Sequence, residues 1–249
     1  MRETPWQQAP AKLELRPDEV HVWRADLQAS PASMQRFQQV LQPAEQARAQ
    51  RFYFEHDRRR WTIAHGILRL LLSMYTGQAP AELNFQVNDY GKPILVQAEG
   101  QPELQFNLSH SHEMALYAFS WQRQLGVDVE YMRDNIAYDE LARHSFSPAE
   151  QAVFLALLAS QKRGAFFKCW TSKEAYIKGR GMGLSLPLNV FDVAVAPDVP
   201  VALLASREDP HEVERWRMSV LEPGPEYAGA LAVEGPAPHI HCWQWNGIS

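Results

Sequence analysis

Between Gly126 and Tyr131 the chain alternates strictly, with apolar Val127 and Val129 set between acidic Asp128 and Glu130. Successive side chains of a strand point to opposite faces, so this stretch reads as a strand with one apolar face and one face carrying two carboxylates. Elsewhere the period is helical. Trp61, Ala64, Leu68, Leu71 and Tyr75 recur at helical spacing within 58–75, and Gly77 follows as a stop. The same reading predicts helices over 34–54, 147–160 and 165–178, and strands over 20–23, 93–96, 104–107, 115–120, 190–195, 216–221 and 227–233. The order strand, helices, three strands occurs twice. The expected fold class is therefore α+β, made of two pseudo-duplicated halves, 1–121 and 122–249, joined near Trp121 to Gln124.

Composition narrows the function. A chain of 249 residues with 46% apolar content can bury a large core, and 21% charged residues is far from a disordered polymer. The formal charge of −5 argues against a general nucleic-acid binder, so any basic function has to be local. No run is long enough to span a membrane and the first ten residues are polar, which makes the cytoplasm the default location. Cys169 and Cys242 stand far apart and form no Cys-x-x-Cys pattern, so both read as reduced thiols.

A second informative stretch runs Trp170-Thr171-Ser172-Lys173-Glu174-Ala175-Tyr176-Ile177-Lys178. In a helix Glu174 and Lys178 share a face, with Trp170 one turn earlier. Alone, such a pair is usually a surface ion pair, and an isolated Asp-x-Glu is usually a solvated strand face. Together, three carboxylates from a strand and a helix can offer Mg²⁺ hard oxygen ligands, and the lysines suit a phosphate-bearing substrate. Arg48, Arg51, Arg58, Arg59 and Arg60 form a local basic cluster, and Gly91-Lys92-Pro93 makes a turn that admits close approach of a ligand. Asn107-Leu108-Ser109-His110-Ser111-His112 follows a strand, but no Gly-x-Ser-x-Gly elbow supports a serine hydrolase. Zinc at His110 and His112, or at His239, His241 and Cys242, lacks a fourth-ligand pattern. Gly179, Gly181 and Gly183 close a helix rather than open one, so they read as its terminus and not as a phosphate loop.

The 126–130 and 170–178 stretches, with the Gly-Lys-Pro turn and Asn107 to His110, resemble the signatures of the 4′-phosphopantetheinyl transferases of the larger, two-halved, surfactin-synthetase-activating type. The resemblance covers roughly 48–195 and implies that fold, with the active site between the halves. It implies Mg²⁺-dependent transfer of phosphopantetheine from coenzyme A, as substrate, to a serine of an apo acyl or peptidyl carrier protein, releasing adenosine 3′,5′-bisphosphate; this is holo-acyl-carrier-protein synthase activity. By matching position, Asp128, Glu130 and Glu174 hold the metal, for which Mn²⁺ is an alternative. Glu174 acts as general base, directly or through a water, and Lys178 neutralises the pyrophosphate as the P–O bond breaks. Arg48, Arg60, Lys92, Pro93, Asn107, Ser109 and His110 are expected to bind coenzyme A, together with Asp128, Glu174 and Lys178 at its pyrophosphate. Glu45 departs from the pattern, standing where relatives often carry a basic residue.

Further expectations follow from proximity to Glu174. Lys173 faces the substrate or supports the ligands, and Trp170 packs the helix against the Asp128 strand. Leu184 to Leu188, Phe166 and Met182 offer a carrier-docking surface, with Lys162, Arg163, Lys168 and Arg180 as a patch complementary to an acidic carrier. A monomer is the default, since duplicated halves can build the cleft within one chain. A Mg²⁺-dependent phosphohydrolase and a non-catalytic coenzyme A-binding module use the same residues and stay open as alternatives.

Overall fold

Proline and glycine divide the chain more finely than periodicity does. The computed structural model describes residues 5–10, 12–100, 102–134 and 136–247, the side chain of Leu184 excepted. The first half contains β1 (Gln7–Gln8), β2 (Glu19–Asp26), α1 (Pro31–Val40), α2 (Pro43–Ala49), α3 (Glu55–Thr76), β3 (Phe85–Val87), β4 (Pro93–Leu95), β5 (Leu104–Ser111) and β6 (Met114–Trp121). The second contains β7 (Leu125–Tyr131), α4 (Tyr138–Ser145), α5 (Pro148–Leu155), α6 (Ala159–Arg180), β8 (Phe191–Val193), β9 (Leu203–Ser206), α7 (Glu212–Arg215), β10 (Trp216–Gly224), β11 (Tyr227–Glu234) and β12 (His239–Gln244). The helix expected over 34–54 is two helices. Pro43 takes the first position of α2, where a missing N–H costs nothing, and the chain turns at Leu41 and Gln42 before it. The helix expected over 147–160 likewise ends at Leu155, and α6 starts at Ala159. Gly77 and Gly181 close α3 and α6 in the left-handed conformation.

The strands form two main sheets, one in the order β1-β12-β2-β6-β5 and the other β10-β11-β7. Strand β12 crosses back from the second half and pairs in parallel with β2. Four layers result. Helices α1 and α3 cover the outer face of the larger sheet around Trp23, Ile67, Leu71 and Phe119. Helix α6, with α4 and α5, covers the outer face of the smaller sheet around Phe146, Phe166 and Tyr176. Between the sheets Val20, Val22, Leu116 and Ala118 meet Val127, Val129, Leu231 and Val233. The apolar face of the alternating 126–131 strand is thus the joint between halves.

The sheets also meet edge to edge, through side chains. Asn107 Oδ1 accepts from Val127 N–H at 2.9 Å, Ser109 Oγ from Val129 N–H at 3.4 Å, and Ser111 Oγ from Tyr131 N–H at 3.1 Å. Every second residue of β5 therefore satisfies an amide of β7 that no neighbouring strand reaches. On the other side β7 lies directly against α6. A Cβ at Gly126 would collide with the Ala175 carbonyl oxygen and the Gly179 amide nitrogen, so only glycine allows this approach.

Lys173 is fully buried with Glu150, 2.8 Å from its carboxylate, and donates to the carbonyls of Leu188 and Phe191 at 2.8 and 2.7 Å. It does not face a substrate; it ties α6 to α5 and to the segment entering β8.

Two stability outcomes follow. Asn107→Ala leaves the buried Val127 N–H without an acceptor and is expected to cost about 2 kcal/mol in urea denaturation. Lys173→Met strands the Glu150 charge and is expected to cost about 3–5 kcal/mol by the same assay.

Candidate active site

The alternation of β7 turns Asp128 and Glu130 toward α6, and the four-residue spacing on α6 places Glu174 and Lys178 along one helix face. Lys178 Nζ lies 2.6 Å from Asp128 Oδ1 and donates to Ser109 Oγ at 2.8 Å. Ser109 Oγ–H in turn donates to Asp128 Oδ1 at 2.8 Å, and Ser111 Oγ–H to Glu130 Oε2 at 2.7 Å. The β5 hydroxyls that satisfy the β7 amides are the ones that orient its acids.

The charge in this cluster is not balanced. Burial, then the neighbouring Asp128 charge, raises the Glu130 carboxyl above its usual range, against the lowering pull of Ser111, Lys178 and the Trp170 indole. Glu174 is raised by burial first, then by Asp128, with Lys178 opposing and Glu130 adding. Asp128 Oδ2 is buried with no hydrogen-bond partner. A carboxylate oxygen left bare beside two uncomfortable carboxylates suits a divalent cation with oxygen ligands. Among the described residues no group of three or more His, Cys, Asp or Glu side chains is placed so that it could hold a metal ion as it stands. Lys178 instead supplies the positive charge on Asp128.

Basic groups collect on the helical side of β5. His110 stands near the end of β5, where desolvation by the surrounding protein, then Lys178 and Arg60, lowers its pKa. Arg60 is bound to Glu113 of the β5–β6 turn, its Nε 2.8 Å from Oε1, with Asp57 nearby at 3.9 Å. Arg48 lies over the Trp61 ring, 5.8 Å from its centroid. Glu45 closes the N-terminus of α2 by accepting from Gln42 N–H at 2.9 Å and binds the buried Arg69 at 2.7 Å. An acid at this position is explained by those two bonds.

Several expected contacts have other occupations. Asn107 and Ser109 are buried and their oxygens are engaged with β7, so neither lines open space for coenzyme A. Lys92 donates to the carbonyls of Leu125 and Gly179 at 3.1 and 3.2 Å, holding the negative end of the α6 dipole, and burial lowers its pKa to about 8. Pro93 is exposed at the start of β4. Phe166 and Leu186 belong to the core and cannot form a docking surface; the Leu184 side chain lies outside the described residues. Lys162 pairs with Asp139, Arg163 with Asp134 and Glu226, and Arg180 with Glu212, while Lys168 donates to two carbonyls. Three of the four cations expected to meet an acidic carrier are therefore paired with acids of this chain, and the fourth is held by neutral carbonyls. Reading residue types missed Ser111, Glu113 and the Trp170 indole as parts of the site; only the every-second-residue polar run of β5 hinted at the first.

Acids with a lysine, beside basic side chains and between two halves, suit a phosphate-bearing substrate. Residues 124–232 match the family profile described as 4′-phosphopantetheinyl transferase superfamily, and 25–122 match 4′-phosphopantetheinyl transferase, N-terminal. The chain is 38% identical over 230 residues to 4′-phosphopantetheinyl transferase HetI of Nostoc sp., covering 92% of this chain and 94% of that protein. It is 28% identical over 211 residues to 4′-phosphopantetheinyl transferase Sfp of Bacillus subtilis, covering 85% and 90% respectively. The chain belongs to the 4′-phosphopantetheinyl transferase superfamily and is an enzyme that transfers 4′-phosphopantetheine to carrier proteins. The mixed α+β fold thus carries an N-terminal domain and a superfamily domain of that family. Among the described residues no helix is long and apolar enough to cross a membrane.

Glu174→Gln removes a carboxylate whose charged form the fold resists. In metal-free buffer at neutral pH the variant is expected to melt about 2–4 °C above the parent. The folded-state carboxyl is raised, so the penalty exists above that value and is lost as pH falls through it. The gain in melting temperature should therefore shrink in acid; a gain independent of pH would contradict this origin.

Proposed function

We propose that Asp128, Glu130 and Glu174 hold Mg²⁺, with Mn²⁺ as the chemical alternative, and that coenzyme A is the donor. The bare, buried Asp128 Oδ2 beside two raised carboxylates carries this reading. When bound, the ion supplies positive charge to the pyrophosphate oxygens, which phosphoryl-type transfer mostly needs. Glu174, one helical turn before Lys178 on α6, takes the proton of the carrier serine, directly or through a water. The serine oxygen then forms a bond to the phosphorus bearing pantetheine, the bridging P–O bond breaks, and adenosine 3′,5′-bisphosphate leaves. Lys178, bonded to Asp128 and Ser109, is a flexible ammonium positioned to neutralise charge on that leaving group.

The first half, 1–121, takes the adenosine 3′-phosphate end through Arg48 and His110, with Arg60 held beside them by Glu113. The second, 122–249, carries the metal site and α6. Since β5, β7 and α6 come from one chain, a monomer holds the complete set. Two buried free thiols suit the cytoplasm.

Intact mass spectrometry of an apo carrier protein incubated with the enzyme, coenzyme A and Mg²⁺ tests the reading. The expected product is a carrier heavier by one phosphopantetheine. Chelation should abolish it, and Glu174→Gln should slow it by about a hundredfold or more. Coenzyme A cleavage without carrier modification would instead indicate a hydrolase.

A further inference from the structure

Arg48 and Arg51 line an open groove along α2 and the turn that follows it, together with Ala44 and Phe52. Among the described residues neither guanidinium has a salt-bridge or hydrogen-bond partner, in contrast to Arg60, whose donors are taken by Glu113. Behind the groove, Trp61 is buried with Leu41 and Ala49, and Phe52 packs 6.2 Å from it. His65, one turn along α3, stacks on the Trp61 indole with ring centroids 3.7 Å apart and planes inclined by 18°. Its Nδ1–H donates to the Trp61 carbonyl at 3.0 Å, which fixes both tautomer and ring orientation.

We infer that His65 is a positioning residue for phosphate recognition: by stacking on Trp61 it holds the indole under Arg48, so that Arg48 and Arg51 present free guanidinium edges to the 3′-phosphate of coenzyme A. This rests on coenzyme A being the donor. A guanidinium held by its face over an aromatic ring keeps its in-plane N–H donors for a phosphate, whereas one bound to a carboxylate has spent them. The arrangement offsets two features of this chain: the acid at Glu45, whose charge is absorbed by Arg69, and the engagement of Arg60 with Glu113. His65 can serve because it is neutral. Burial chiefly, with Arg48, Arg69 and His110 adding repulsion, lowers its pKa to about 3, so it does not repel Arg48 at physiological pH.

Comparing coenzyme A with 3′-dephospho-coenzyme A as donors to one apo carrier tests this, the quantity read being the ratio of their kcat/KM values. The parent enzyme should prefer coenzyme A. His65→Ala should lower that preference about five- to tenfold, through KM for coenzyme A, and His65→Phe, which keeps a stacked ring, should largely restore it. Arg48→Ala and Arg51→Ala, both at exposed positions, should lower the same ratio even if the His65 variants fold poorly. Arg36→Ala, exposed on α1 and outside the groove, controls for general loss of positive charge. An equal loss with both donors in His65→Ala would make its role merely structural. An unchanged ratio in the two arginine variants, or a parent enzyme that does not distinguish the donors, would also overturn the inference. Transfer of phosphopantetheine itself would still stand in each case.

Discussion

The structure depends on a row of three side chains, Asn107, Ser109 and Ser111, that stands in for a strand. Strand β7 is the edge of its sheet, and its free amides at Val127, Val129 and Tyr131 face β5, the edge of the other. A buried amide left without an acceptor costs about 1–3 kcal/mol, so the joint between halves needs these three acceptors. Side chains, unlike a strand backbone, can do a second thing at the same time. The two serine hydroxyls accept from the amides and donate to Asp128 and Glu130. Fold and site therefore share atoms, and the acids are aimed by the contact that closes the molecule.

Behind that joint the site stores unfavourable charge. Gly126 lets α6 lie against β7, which brings Glu174 into range of Asp128 and Glu130 when, among the described residues, Lys178 is the cation that answers them. Natural proteins commonly accept such local cost where function needs it. Elsewhere in the same helix the opposite solution appears: Lys173, five residues before Lys178, is fully satisfied by Glu150 and two carbonyls and serves only the core. Two lysines of one motif thus divide into a structural and a chemical one, according to which face of α6 each occupies.

How much of this could be read beforehand follows from the range of each interaction. Asp128, Glu130, Glu174 and Lys178 were legible because local periodicity alone decides which face they take. The end of α3 at Gly77 was equally local. The long first helix was misread because Pro43 falls inside an otherwise acceptable run, where it starts a new helix at its first position. Strand β12 was not seen, since its pairing partner β2 lies some 220 residues upstream (239 against 19) and its His, Ile, His, Cys pattern is weak. Partners of charged residues were the least legible. Lys92 holding the end of α6, Arg60 held by Glu113 and Glu45 held by Arg69 all depend on tertiary approach, which residue type and local spacing do not encode.

The most direct test of the account is the Mg²⁺ concentration that half-saturates phosphopantetheine transfer, measured for the parent and for the Ser109→Ala/Ser111→Ala double variant. If these hydroxyls aim the proposed metal-binding acids, the folded variant needs about ten times more Mg²⁺, in line with the loss that follows when groups supporting metal ligands are removed. An unchanged Mg²⁺ requirement in a variant that remains folded would contradict the claim that one row of side chains both joins the halves and sets the site.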